Sequence, residues 1–414
     1  MYELNEVVMM GKLQQPNMNT RYSVLGTRYS PVEVVQDVAT FAAMRGEWAE
    51  LLDDSDAGPF NSWEWLYPWY RRIGSDRALR ILVAREESGR LLGVMPLCVD
   101  ERRVAGRAVR RVAFLGETYV GSEYLDIIIR RDYDGPISQA IISALRDSGA
   151  GWDVLDLVDV DSQSPLLQLL RDAFPDGEYE MQVTTRSSQP YETFEPGETF
   201  DSFLRKTSRR ENYLRRRKWL EKQPGYHIER VRDPSLLSAP LTDLMRLHAL
   251  RWQVEGGSDA IKGPSIEAFH RDATQLLAER GQLCIYTMKL DDKVLASVYG
   301  IIYRDKFIYY LPGWDPAWRD KSVSLVLIGE TFRDAIEMGL REYDFLSGPE
   351  TYKSDWVSKT RHSLAVRIYG KGSAGSLLAR QESARRRARD LAKRAMPKRL
   401  LERLRYLRRK RSNV

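Results

Sequence analysis

Metal-binding and redox residues are scarce in this sequence. Its 414 positions hold four histidines and two cysteines, Cys98 and Cys284, without the paired Cys/His spacing that a structural zinc ion needs. Both cysteines fall in apolar, strand-like stretches and are expected as buried, reduced thiols. Long apolar runs are missing too, so no segment is expected to span a membrane. The N-terminus lacks a charged-then-apolar leader, which makes the cytoplasm the expected compartment. An evenly spread positive charge is also absent. The net charge is +6, but Arg380 to Val414 alone carries fifteen Lys/Arg against Glu382, Asp390 and Glu402. That tail is +12 and the preceding 379 residues are −6, which argues against a nucleic-acid surface spread over the body.

What is present is ordinary globular material, 43% hydrophobic and 29% charged, in a length that suits two domains. Residues 1–30 show no period and read as a loose extension. A first domain over 31–190 opens with a helix near Val38 to Leu52 and the aromatic segment FNSWEWLYPWYRRIG. Strands follow at Leu79 to Glu86, Leu91 to Val99, Val109 to Leu115 and Tyr124 to Ile129, then a helix over 135–146 and the strand Asp153 to Leu157. A second domain over 191–372 repeats that order. Helical patterns near 199–222, 235–254 and 265–280 precede strands at Cys284 to Leu290 and Lys293 to Tyr303, joined by the turn Asp291-Asp292. Similar order with little identity points to a duplicated α/β unit with mixed sheets. The tail, 373–414, reads as a basic amphipathic helix suited to an anionic membrane surface, with a tail that docks on the body or stays disordered as the alternative.

The stretch from Ile308 to Trp356 is the most informative. A strand over Phe307 to Leu311 leads into the polar loop Pro312 to Lys321. A helix with Val323, Val326, Leu327, Phe332 and Ile336 follows, closed by Gly339, and then the strand Tyr343-Asp344-Phe345. A strand, a basic loop and a helix N-terminus make a plausible phosphate site, because free amides and the helix dipole both favour an anion.

Leu247-His248-x-x-Arg251-Trp252, Gly281-x-Leu283, Val294-Leu295-Ala296, Tyr309-Tyr310 and Gly313-Trp314-Asp315-Pro316 stand in series with Gly339 and Tyr343-Asp344-Phe345-x-x-Gly348-x-Glu350-x-Tyr352-Lys353-x-x-Trp356. Together they resemble the cellulose-biosynthesis-type branch of the GNAT acetyltransferases, double-domain proteins similar to the Fem-type peptidyltransferases. The resemblance implies two tandem GNAT-like (acyl-CoA N-acyltransferase) domains, with acyl-CoA, acetyl-CoA first, as donor. It implies a saccharide or lipid-linked sugar as acceptor, in exopolysaccharide or cell-envelope synthesis. It departs at one turn: where the family usually has Ser-Pro-Gly, this chain has Ser322-Val323-Ser324. Ser322 is still suited to cap the helix.

Acyl transfer from a thioester needs a bound donor, a placed nucleophile, and help with protons and the oxyanion. Arg319, Lys321, Ser322 and Ser324 are the donor-phosphate candidates. Asp344, at a strand end, and His248, on a helix, are candidate proton acceptors, each with a structural alternative as a capping acid or a hydrogen-bonded helix residue. Tyr352 is placed to protonate the leaving thiolate and Lys353 to stabilise the oxyanion, unless Lys353 holds its loop by pairing with Glu350 or Asp355. Arg251, Trp252, Trp314, Asp315 and Glu350 are candidate acceptor contacts. Trp63, Trp65, Glu117, Tyr119 and Glu123 either line a groove between the domains or belong to a core. The basic run Arg205 to Lys222 reads as a solvated helix face. Two rivals remain open: Fem-type aminoacyl transfer with a tRNA donor, and a non-catalytic scaffold for polysaccharide assembly.

Overall fold

The computed structural model describes residues 22–24, 27–104, 106–147, 151–255, 263–348, 351–370, 374–379 and 381, which leaves most of the basic tail outside the described residues. In the first half the strands are β1 (Tyr22–Val24), β2 (Thr27–Tyr29), β3 (Glu33–Val35), β4 (Ala78–Arg85), β5 (Leu91–Val104), β6 (Arg107–Phe114), β7 (Ile128–Ile129) and β8 (Val154–Asp161). β9 (Tyr179–Thr193) and β10 (Tyr226–Val231) follow. Then come β11 (Leu283–Leu290), β12 (Lys293–Tyr303), β13 (Lys306–Trp314), β14 (Glu342–Asp344) and β15 (Lys359–Gly370). β1 and β2 pair with each other, apart from the rest.

The remaining strands form one mixed sheet in the order β10-β11-β12-β13-β14-β9-β15-β8-β6-β5-β4-β3, with β7 added against β5. The same motif is written twice in it. An antiparallel meander, β4-β5-β6, is followed by the helix Asp134–Asp147 and the parallel strand β8. The meander β11-β12-β13 is followed by the helix Val323–Glu337 and the parallel strand β14. The expected pair of mixed sheets is thus fused into one. β9 and β15 do this: β9 pairs with β14, β15 pairs with β8, and the two pair with each other. Position 190 lies inside β9, so the strand that joins the halves runs across it.

Several local readings change. The helix expected near Val38 to Leu52 is two, Val38–Ala43 and Arg45–Asp53, meeting at Met44. The pattern near 199–222 is Phe200–Lys206 and Arg210–Leu220, broken where Thr207 turns its amide and hydroxyl back onto the Leu204 carbonyl. The strand expected over Tyr124 to Ile129 shrinks to Ile128–Ile129. The Asn61 side chain takes the place of a strand partner there, donating to the Tyr124 carbonyl and accepting from the Asp126 amide.

The aromatic segment is core. Trp63 and Trp65 are buried; the Trp65 indole donates to Ser122 Oγ at 2.8 Å and meets the rings of Phe269 and Tyr310 edge-on. Because Phe269 and Tyr310 belong to the second half, this cluster bonds the halves as well as filling the first. Glu117 is buried against Arg77 and Arg111 and holds the β5–β6 surface. Both cysteines are free and buried, and burial pushes the Cys98 thiol up to about 12.

Candidate functional site

β13 and β14 pair over three residues only, Lys306–Ile308 against Glu342–Asp344, while β13 continues to Trp314. β14 therefore ends while β13 runs on, and the helix Ser238–Glu255 packs across β13. Gly313 permits that contact: a Cβ there would meet the His248 backbone nitrogen at 2.6 Å and the Leu244 carbonyl oxygen at 2.9 Å. His248, Arg251 and Trp252, three and four residues apart, share the inner face of this helix.

The opposite wall is the start of the helix Val323–Glu337. It follows a 3-10 turn over Pro316–Lys321, and Ser322 stands at its N-cap position without the side-chain capping expected of it. Ser322 adopts left-handed φ 57° and its hydroxyl makes no capping bond, which leaves the first-turn amides without their usual N-cap acceptor. The helix Arg210–Leu220 supplies the third wall. Its Tyr213 hydroxyl donates to the buried Glu330, and Arg217 Nε lies 2.9 Å from the same carboxylate. Gly329 makes room for the Tyr213 ring.

These walls enclose a cleft of about 510 Å³ lined by Arg209, Asn212, Arg251, Trp252, Trp314, Arg319, Ser322, Val323, Ser324, Leu325, Ile328, Tyr352 and Trp356. Seven of the residues singled out from the sequence meet here: Arg251, Trp252, Trp314, Arg319, Ser322, Ser324 and Tyr352. Arg319 is exposed and makes no ion pair with the described residues, whereas Arg209 is tied to Asp355. The indole nitrogens of Trp252 and Trp356 are buried without a hydrogen-bond partner. An unmade hydrogen bond of this kind costs about 1–3 kcal/mol, and both indoles belong to residues that line the cleft. Trp356 is held flat against Phe332, which stacks in turn on Tyr343 at 3.7 Å.

Other candidates lie elsewhere or are otherwise engaged. His248 is buried beside the cleft; Pro312 carbonyl accepts from its Nδ1 at 2.9 Å, which leaves Nε2 as the basic nitrogen. Lys321 turns away to lie over the Trp219 ring, 4.6 Å from its centre. Asp315 caps the 3-10 turn through the Ala317 amide and faces Lys293 at 3.4 Å. Lys353 is 4% exposed, and its ammonium donates to the carbonyls of Phe345 at 3.1 Å, Leu346 at 3.3 Å and Ser347 at 2.8 Å. That is a loop-holding role, made among the described residues through backbone carbonyls. Glu350 lies outside the described residues.

Asp344 ends β14 as expected, but at 2% exposure it is a fully engaged acid. One oxygen accepts from Tyr124 OH at 2.8 Å and the other from the Leu346 amide at 2.7 Å, with Arg361 3.7 Å away. Burial pushes its carboxyl up and Arg361 pulls it back. Arg209 and Asn212 were hidden in a charge run that looked like a solvated face. The run is solvated on one side only, and its buried Tyr213 and Leu220 mark the other.

Residues 207–354 match the family model described as an acetyltransferase (GNAT) domain. The chain carries a GNAT domain there, and that segment contains every cleft residue except Trp356. No curated protein matches the sequence. Among solved structures, the chain is similar to FemX at 12% identity and a TM-score of 0.56, covering 81% of this chain and 98% of that one. It is also similar to the C-terminal domain of a putative lysylphosphatidylglycerol synthetase from Agrobacterium fabrum, at 12% identity and TM-score 0.50, over 82% and 95% of the two chains. A conserved protein of unknown function from Bacteroides thetaiotaomicron aligns at 12% identity and TM-score 0.50, over 81% and 100%. At such identities the likeness is one of fold, and the fold is that of the GNAT-like acyltransferases.

Proposed function

We propose that this protein transfers an acyl group, acetyl first, from acyl-CoA to an amine or hydroxyl of a saccharide precursor. The observation that carries the reading is the cleft at the start of the helix Val323–Glu337. It combines a helix N-terminus whose N-cap residue makes no side-chain bond, Arg319 with no ion pair to the described residues, and two buried indole N–H groups without a hydrogen-bond partner among those residues. Phosphate oxygens suit the helix amides and Arg319, and carbonyl or phosphate oxygens suit the indoles. In this reading the acceptor attacks the thioester carbonyl and gives its proton to His248, whose Nδ1 is held by the Pro312 carbonyl, while the C–S bond breaks and Tyr352 hands a proton to the thiolate. Trp252 and Trp314 offer flat faces of the kind sugars stack on. Lys353 acts indirectly, by holding the loop Phe345–Ser347 at the end of β14. The tail 373–414 is proposed to bring the enzyme to anionic membrane, where a lipid-linked sugar would be found.

The test is thiol release from acetyl-CoA with amino sugars and neutral sugars offered as acceptors. Turnover that saturates with acceptor and falls in Arg319→Ala supports the reading. Tight donor binding with no turnover on any sugar would redirect the search to other acceptors, and tRNA binding without CoA binding would replace the donor.

A further inference from the structure

From Arg205 to Lys222 nine cations stand against Glu211 and Glu221, a charge of +7 in a body that is −6 as a whole. Four of the nine are engaged within the protein: Arg205 by Asp201, Lys206 by Glu198, Arg209 by Asp355 and Arg217 by Glu330. Arg210, Arg215, Arg216, Lys218 and Lys222 make no ion pair with the described residues. The Nε atoms of Arg210 and Arg216 are buried without a hydrogen-bond partner. Arg319 and Lys321 extend the same positive field, Lys321 from above the half-buried Trp219 ring.

One side of the helix Arg210–Leu220 is committed to the core. Tyr213 and Leu220, seven residues apart, are buried there with Phe203, Phe332 and Trp356. Helical spacing puts Leu214, Arg215 and Lys218 on the opposite side, and all three are exposed, Leu214 at 39%. Lys222 is exposed just past the helix end. Arg209 and Asn212, where the helix starts, line the cleft. Whatever lies on the outer side is thus roughly 10 Å, one helix diameter, from the cleft wall.

We infer that this outer side is a docking surface for an anionic bilayer, which brings the cleft close to the lipid headgroups. The positive field suits any polyanion, and Leu214 makes the choice. A nucleic-acid backbone in solution offers no apolar partner to a leucine exposed among cations. A helix at the bilayer interface uses both, with cations on the headgroups and the apolar side chain between them. One leucine buries little, so charge must supply most of the attraction, and binding is expected to weaken steeply with salt. This contact is independent of the acyl-CoA reading. It adds the folded body to the tail proposed above, and the two together set which side of the protein faces the membrane.

The tail is basic too, so binding alone does not locate the contact. Both native cysteines are buried, so a thiol introduced at an exposed position can be labelled selectively. Leu214→Cys, carrying an environment-sensitive fluorophore in the full chain, is mixed with vesicles of phosphatidylcholine with and without phosphatidylglycerol. Leu236→Cys is the control: Leu236 is 61% exposed, and its neighbour Leu237 packs on the other face of the sheet. β13 shows the two faces, turning Phe307 and Tyr309 to the Tyr213 side and Ile308 to the Leu237 side. The label at 214 is expected to shift to the blue and to be quenched by spin-labelled lipid, with phosphatidylglycerol only, while the label at 236 stays silent. Arg215→Glu with Lys218→Glu is expected to lower the vesicle affinity read by the 214 label about tenfold or more. A silent 214 label on a protein that sediments with the vesicles would leave binding to the tail and overturn the inference. Unchanged affinity in the double reversal, or no vesicle binding by the full chain, would overturn it as well. A 214 label that responds to tRNA and not to vesicles would give the surface to nucleic acid instead.

Discussion

Tyr213 lies so close to Gly329 that a Cβ on the glycine would stand 2.2 Å from the ring Cε2. The hydroxyl of the same tyrosine donates to Glu330, one residue along. This contact locks the helix Arg210–Leu220 onto the helix whose N-terminus forms the cleft. Gly329→Ala is therefore expected to destabilise the protein by about 1–3 kcal/mol, as overpacking does, and to weaken acetyl-CoA binding by shifting Arg209 and Asn212. Urea denaturation and a donor titration check the two effects.

Lys353 is predicted to matter for folding as much as for rate. Removing its ammonium leaves the carbonyls of Phe345, Leu346 and Ser347 short of a buried donor. Lys353→Ala is expected to lose about 2–4 kcal/mol of stability, measured by denaturant unfolding, with activity falling in parallel. An oxyanion role alone would cost activity and leave stability untouched.

The orphaned indoles give a cleaner separation. Trp252→Phe keeps most of the aromatic surface and deletes an N–H that none of the described residues uses. Its melting temperature is expected to stay within a degree or two of wild type. Donor or acceptor affinity is expected to drop by about threefold to tenfold, the usual net worth of one hydrogen bond.

Glu123 also predicts a pH dependence of stability. Its carboxyl is raised from 4.5 to about 7 in the folded protein, so the native state holds a proton that the unfolded chain releases between these values. The contribution is fully present below about 4.5 and is lost as pH rises to about 7. The difference in unfolding free energy between wild type and E123Q is expected to shift against wild type by roughly 1–3 kcal/mol over that window, measured by urea titrations at stepped pH. Taking the difference cancels Asp126, whose carboxyl is raised by burial and by Asp161, while Asp159 and Asp344 titrate together with Glu123.

The repeated meander–helix–strand order was legible because β4, β5, β11 and β12 are apolar hairpins with polar turns, and because the helix Val323–Glu337 has clear periodicity. The strands that fuse the halves were not. β9 reads YEMQVTTRSSQPYET, mostly polar and interrupted by Pro190, and it is a strand because β14 and β15 flank it. The cleft was legible where residues cluster in sequence, from Trp314 to Tyr352. Its remaining wall came from Arg209 and Asn212, about a hundred residues away. Glu123 is brought to Ser347 by the fused sheet alone, across 224 positions, and no local pattern announces such a contact.

The most direct test of the account is calorimetric titration of the full chain with acetyl-CoA, with free CoA as control and Arg319→Ala as the paired variant. The account predicts saturable binding to one site, weakened about tenfold or more when the Arg319 charge is removed, as a charge-assisted phosphate contact requires. No heat from either ligand, or affinity unchanged in Arg319→Ala, would contradict the placement of the donor in this cleft.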